Sequence, residues 1–199
     1  MEVRKSSMPF FLPSNEKPMI LQTISNVELR DGVDYLQKYF PYIKELTCKT
    51  YLDEENDFKY LTYLEKLKLI GLPRRMKSTM HDCPKGEPKN HITFPATLKT
   101  LTLDLCRLPW SDMSIIQSLP NLEVLKLRRR AFDGNHWNTY EQEFRQLKFL
   151  RLEVLYIKLW EVYSTSFPCL KQLEIFSCKD LEEIPLEIGD IPSGVPSIC

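Results

Sequence analysis

Apolar residues recur along this chain with a spacing that repeats. Leu98-x-x-Leu101-x-Leu103 returns as Leu122-x-x-Leu125-x-Leu127, as Leu147-x-x-Leu150-x-Leu152 and as Leu170-x-x-Leu173-x-Ile175. Fainter copies stand upstream at Leu21-x-x-Ile24, Ile43-x-x-Leu46-x-Cys48 and Leu64-x-x-Leu67-x-Leu69, which makes seven units. Apolar and polar positions alternate at the end of each unit, which predicts one short strand with its apolar side chains on a single face. No unit buries that face alone, so neighbouring units must stack and share a continuous core.

The second apolar position of each unit falls at 24, 46, 67, 101, 125, 150 and 173, in steps of 22, 21, 34, 24, 25 and 23 residues. All but one step lie in the range of about 20–29 residues of leucine-rich repeats. The predicted fold class is therefore an α/β repeat, a leucine-rich-repeat solenoid. It would carry a curved parallel β-sheet on the concave face and irregular, short-helical returns on the convex face. Residues 31–40, ending before Pro41, and 111–119, ending before Pro120, are the predicted return helices, each opening on a capping-type residue.

The repeat domain of about seven units occupies residues 19–192. Residues 1–18 hold three prolines and no ladder, and are expected to be a disordered linker or a remnant of something upstream. The long step contains 73–90, where Arg74, Arg75, Lys77, Lys85 and Lys89 stand among prolines and glycine, and it is expected to protrude as a basic loop. A further unit opens after Leu181 without supplying its strand, so 193–199 are expected to be a truncated tail behind an uncapped repeat.

With 199 residues, 43% of them hydrophobic, the chain is long enough for one domain with a sizeable core. Its 27 basic and 27 acidic residues balance, so no global field draws it to nucleic acid or to an anionic membrane. Six cysteines would suggest disulfides in a secreted chain. Cys48, however, takes a core strand position, and Cys106 and Cys178 take the position where this repeat accepts Asn or Cys, so they read as buried thiols. The sequence also lacks any Asn-x-Ser/Thr acceptor, and both features favour a reducing, intracellular setting. The apolar cluster at 8–12 is too short for a signal-peptide core, and no stretch approaches membrane-spanning length.

Residues between ladder positions should face the concave surface and align into columns as the units stack. One column reads Thr47, Lys68, Thr102, Lys126, Arg151, Glu174, and the column two residues later reads Lys49, Ile70, Asp104, Arg128, Glu153, Phe176. Positive charge concentrates in the fifth and sixth units. The candidate protein-binding face is therefore Lys126, Arg128, Arg129, Arg130, Lys148 and Arg151, with Glu153, Glu174 and Phe176 beside them. Asp180, Glu182, Glu183, Glu187 and Asp190 form an acidic end beyond it. Such a two-signed surface suits an acidic protein partner or an intramolecular docking site. The competing reading is an ordinary face with its charges held in water.

No basic stripe carries interleaved aromatics, so nucleic acid is not an expected partner. Trp110, Trp137 and Trp160, with Tyr140, Phe144 and Tyr163, follow the strands once per unit. They either anchor a partner or, as their recurrence favours, pack the return segments. His81, Cys83 and His91 fit no closed zinc set, and Asp53, Glu54, Glu55 and Asp57 lack the glycine and terminal Glu of a calcium loop. Without a catalytic motif, no enzymatic activity, metal or cofactor is expected.

Phe94-Pro95-Ala96-Thr97-Leu98, Leu108-Pro109-Trp110-Ser111-Asp112-Met113, Leu119-Pro120-Asn121-Leu122, Phe167-Pro168 and Leu181-Glu182-Glu183-Ile184-Pro185 carry a phrasing beyond the leucines. In it, residues 19–192 resemble the C-terminal repeats of solanaceous late-blight-resistance-type plant immune receptors, which combine coiled-coil, nucleotide-binding and leucine-rich-repeat domains. The resemblance implies a protein-recognition module in disease resistance and the hypersensitive response, sensing pathogen effectors or restraining a nucleotide-binding switch domain. Implied partners are the nucleotide-binding domain of an immune receptor, a pathogen effector or a guarded host protein. The implied place is the cytoplasm, with peripheral membrane association only through a partner and no integral membrane association.

The chain departs from that family in having no Gly-x-x-x-x-Gly-Lys-Ser/Thr loop, so nucleotide binding is not carried over. Met80-His81-Asp82 repeats a tripeptide of the family's switch domain but lies inside the basic loop, where no such domain fits. The alternative is a ubiquitin-ligase substrate adaptor or a general protein-binding scaffold. Leu12-Pro13 is similar to the start of an F-box, yet the first unit at Leu21 leaves no room for the rest.

Overall fold

The computed structural model describes residues 3–4, 18–29, 33–52, 56–73, 92–139 and 143–188. Eight parallel strands form one sheet in chain order: β1 (Val3–Arg4), β2 (Thr23–Leu29), β3 (Glu45–Thr50), β4 (Lys66–Gly71), β5 (Thr100–Asp104), β6 (Val124–Arg128), β7 (Phe149–Glu153) and β8 (Gln172–Phe176). The register puts Ile24, Leu46, Leu67, Leu101, Leu125, Leu150 and Leu173 side by side, so the ladder read from the sequence is the one that stacks. Each is buried, and each contributes about 1.5–3 kcal/mol of burial energy. The fold is a leucine-rich-repeat solenoid.

The first unit departs from simple alternation. Ile24 pairs with Leu46 but Val27 with Cys48, so one extra residue bulges between them. Asn26 absorbs it with φ +60°, in the left-handed region that Asn tolerates, and is exposed. Within the stretch expected to be disordered, Val3–Arg4 pairs with Ile24 and Ser25, because an open sheet edge presents unsatisfied backbone groups to any extended segment.

The returns are shorter and less helical than their sequence suggests. α1 is Asp34–Tyr39 and α2 is Met113–Gln117, and neither has a side-chain N-cap bond. The cap expected from Ser111 is absent, since Ser111 lies in a 3-10 turn and its carbonyl accepts from the Ser114 hydroxyl at 3.0 Å. Helices this short are held by packing of Leu36, Met113 and Ile116 rather than by their own ends. Elsewhere the returns pair as two-stranded parallel ribbons, Leu108–Pro109 with Phe132–Asp133 and His136–Asn138 with Leu159–Glu161.

The recurring aromatics join these returns into a stack. Trp137 lies between Trp110 at 5.1 Å and Trp160 at 5.0 Å, and Phe132 continues the pile onto Trp110 at 4.6 Å. Trp137 and Trp160 are buried, so they serve repeat packing and present nothing to a partner. Tyr163 is exposed, and Tyr140 lies outside the described residues.

Close stacking also needs Gly71. A Cβ there would run into the Leu105 carbonyl oxygen and the Cys106 Cα of the next unit, far inside contact distance. Cys48, Cys106, Cys169 and Cys178 are free thiols. Burial pushes Cys48 well above the ordinary thiol range and Cys106 up to about 12, which keeps both protonated and inert at neutral pH. Residues 74–90 of the expected basic loop, His91 and the tail at 193–199 lie outside the described residues.

Candidate protein-binding face

Parallel strands about 4.8 Å apart bring equivalent side chains of neighbouring units within reach of one another. Both columns drawn from the sequence form as written: Thr47, Lys68, Thr102, Lys126, Arg151, Glu174 in one, and Lys49, Ile70, Asp104, Arg128, Glu153, Phe176 in the other. A third column, Glu45, Lys66, Thr100, Val124, Phe149 and Gln172, completes the concave face.

The candidate cations are brought together, and most of them meet carboxylates. Arg128 donates to Glu153 from Nε at 3.1 Å and from Nη2 at 2.9 Å. Arg151 donates to the same carboxylate at 2.9 Å and to Glu174 at 3.2 Å. Arg129 clamps Asp104 through Nε at 2.7 Å and Nη2 at 2.6 Å. Arg130 pairs with Asp133 at 3.2 Å, and Lys148 pairs with Glu123 at 2.9 Å along the rim. Phe176 offers its ring to the Arg151 guanidinium, 4.5 Å from the ring centroid. The patch is therefore a lattice of alternating charge, stiffened by bidentate Arg–carboxylate pairs.

Backbone conformation places Arg129 there. Strict alternation would send residue 129 toward the core, but its φ of +44° turns the side chain outward over Asp104. The same left-handed step recurs four residues after the ladder position at Leu105, Val154 and Ser177. Such a residue costs of order 1–3 kcal/mol and persists where its surroundings determine it. Here Arg129 N–H donates to the Glu153 carbonyl at 2.7 Å, and Val154 N–H to that of Phe176 at 2.9 Å.

Of the candidate cations, Lys126 alone has no carboxylate partner among the described residues, and its ammonium sits 5.4 Å from the centroid of Phe149. Lys68, absent from the candidate set, is likewise unpaired among the described residues. Together with Thr102, Arg128 and Arg151, these two lysines line a shallow depression of about 280 Å³ in the concave face.

The Arg128 hydrogen bonds, aided by nearby Arg151, hold the Glu153 carboxyl below the usual carboxylate range. A lowered folded-state value means that Glu153 adds stability above the unfolded value of about 4.3 and loses it as pH falls through the lowered one. Thermal melts from about pH 5 to about pH 3 should therefore show a shallower loss of stability for Glu153→Gln than for wild type. Parallel slopes in the two proteins would remove Glu153 from the acid response.

Among the described residues no three His, Cys, Asp or Glu side chains gather to hold a metal, and no helix is long and apolar enough to cross a membrane. Asp57, from the acidic run, accepts from the Lys59 amide at 3.2 Å and caps the following 3-10 turn. At the acidic end Glu182 meets Lys158 at 3.2 Å, while Asp190 lies outside the described residues.

Comparison with known proteins gives no match to a family model. The late blight resistance protein homolog R1B-13 of Solanum demissum is 32% identical over 201 residues, covering 94% of this chain and 17% of the relative. Its counterpart R1B-16 from the same plant is 30% identical over 206 residues, covering 96% of this chain and 15% of the relative. The probable disease resistance protein RF9 of Arabidopsis thaliana is 37% identical over 116 residues, covering 58% of the chain and 11% of the relative. The chain thus spans less than a fifth of the length of these relatives.

Proposed function

The chain is a relative of the late blight resistance homologs, matched along nearly its whole length, and from that premise we propose that it is the protein-recognition module of a plant disease-resistance protein. It acts by docking and does no chemistry. Its concave face takes a nucleotide-binding switch domain, restraining it, or receives a pathogen effector or guarded host protein. The cytoplasm is the setting in which those partners are met. The observation that carries this reading is the in-register concave sheet, whose side-chain columns align across the strands into one continuous surface.

The partner arrives with charge to match. Bidentate pairs fix the arginines in place, so little side-chain entropy is lost when a partner meets them. Alternating charge in the lattice selects orientation more than it adds affinity.

Bulk rather than charge gives the cleanest test, because reversing the paired arginines would break the lattice itself. Thr47→Trp with Thr100→Trp fills the concave face on β3 and β5, whereas Lys38→Trp loads α1 on the opposite side. Co-precipitation with the nucleotide-binding domain of a related receptor should fall at least about tenfold in the concave variant, about 1.4 kcal/mol, and persist in the α1 variant. Unchanged capture by the concave variant, or no capture by wild type, would contradict the proposal.

A further inference from the structure

The depression in the concave face has a composition unlike the lattice around it. Lys68 on β4, Thr102 on β5 and Lys126 on β6 are direct neighbours in register, so two lysines flank one threonine across three strands. Arg128 and Arg151 close the same depression, both already engaged with Glu153. Neither lysine has a carboxylate partner among the described residues, and the Thr102 hydroxyl has no hydrogen-bond partner among them.

The charges around the depression do not cancel. Lys68, Lys126, Arg128, Arg129 and Arg151 stand against Asp104, Glu153 and Glu174, which leaves two positive charges in surplus. That surplus resides on the two lysines, which stand on the strands to either side of Thr102, each on a flexible stem. A compact dianion meets both at once, whereas two carboxylates on separate side chains would need twice the room. A phosphate monoester carries about −1.5 to −2 charges at neutral pH and three strong acceptor oxygens, enough for both ammonium groups and a hydroxyl.

We infer that the concave depression is a receptor for a phosphorylated side chain carried by a docking protein. Lys68 and Lys126 supply the ionic contacts, Thr102 donates its hydroxyl, and the Arg128–Glu153–Arg151 pairs hold the floor rigid. The inference deepens the docking function proposed for this face. Its test uses peptide probes alone, so it stands or fails apart from any co-precipitation result.

The probes are a glycine-flanked phosphoserine pentapeptide, the same peptide with two adjacent aspartates, and the same peptide with plain serine. Binding is followed by titration calorimetry at low salt. The phosphopeptide should bind at least about tenfold more tightly than the aspartate peptide, a difference of about 1.4 kcal/mol, and the serine peptide should not bind. Lys68→Ala and Lys126→Ala should each weaken phosphopeptide binding about tenfold, with Lys68→Arg restoring it. Lys99→Ala, at the rim where Lys99 pairs with Glu65, should leave it unchanged. Circular dichroism establishes that each variant is folded. Equal binding of the three peptides, aspartate binding as tight as phosphoserine binding, or phosphopeptide binding indifferent to both lysines would each overturn the assignment.

Discussion

Trp137→Ala should lower the free energy of unfolding by about 3–5 kcal/mol, the cost of removing a large aromatic from a packed core. The indole is fully buried and stacked on both faces, by Trp110 and Trp160, with Phe144 and Phe167 edge-on at 6.3 Å. Each aromatic pair adds about 0.5–1.5 kcal/mol beyond its buried area, and alanine forfeits all four. The Trp137 Nε1–H has no hydrogen-bond partner among the described residues, so Trp137→Phe gives up no polar contact there and should cost less than half as much. Urea unfolding followed by circular dichroism measures both variants. A loss below about 1 kcal/mol for the alanine would mean that the stack does not bind the units together.

Arg129→Ala should cost about 1–3 kcal/mol, the penalty of leaving the buried Asp104 carboxylate without its ionic partner. Asp104 is buried outright, and Arg129 supplies both of its short ionic hydrogen bonds. Without Arg129, only the Arg128 guanidinium remains among the described residues, 4.0 Å away and already committed to Glu153. The deficit belongs to the stranded anion, so removing the anion as well should restore stability. Ile70 already places an apolar side chain beside Asp104 in the same column. The double variant Asp104→Leu with Arg129→Ala should therefore recover at least half of the loss. A double variant as unstable as the sum of its parts would show that the lattice is not held by this pair.

Much of this architecture was legible in the leucine spacing, because only one strand register stacks the ladder positions of all seven units on the buried face. Both concave columns followed from the same period, and the aromatic recurrence at Trp110, Trp137 and Trp160 pointed to packing. The first unit hid its bulge, since the apolar spacing from Ile24 to Val27 is three where the pleat wants two. The cap expected at Ser111 failed because Ser111 lies inside the 3-10 turn that leads into the helix, where its carbonyl rather than its hydroxyl meets Ser114.

The candidate face was legible as a set of strand positions but not as electrostatics. Charges counted unit by unit look basic in the fifth and sixth units. Read across the stack, Asp104, Arg128 and Glu153 alternate in sign, and residues one strand apart neutralise each other. The sequence held that signal in the columns themselves. Lys68 and Thr102 stood in the same column as Lys126, but their weight emerges only once the neighbouring arginines are seen to be paired. The outward turn of Arg129 was not legible, because an arginine gives no local sign of a left-handed backbone.

The proposed docking seats partners on the concave sheet, and amine labelling of the complex with a related receptor's nucleotide-binding domain reads out where they sit. Mass spectrometry would compare lysine acetylation in the complex and in the free chain. Lys68 and Lys126, on β4 and β6, should lose their reactivity on binding, while Lys38 on α1 and Lys59 in the Phe58–Tyr60 turn label as before. Protection of Lys38 and Lys59 with Lys68 and Lys126 labelled as in the free chain would place the partner on the returns and contradict the account.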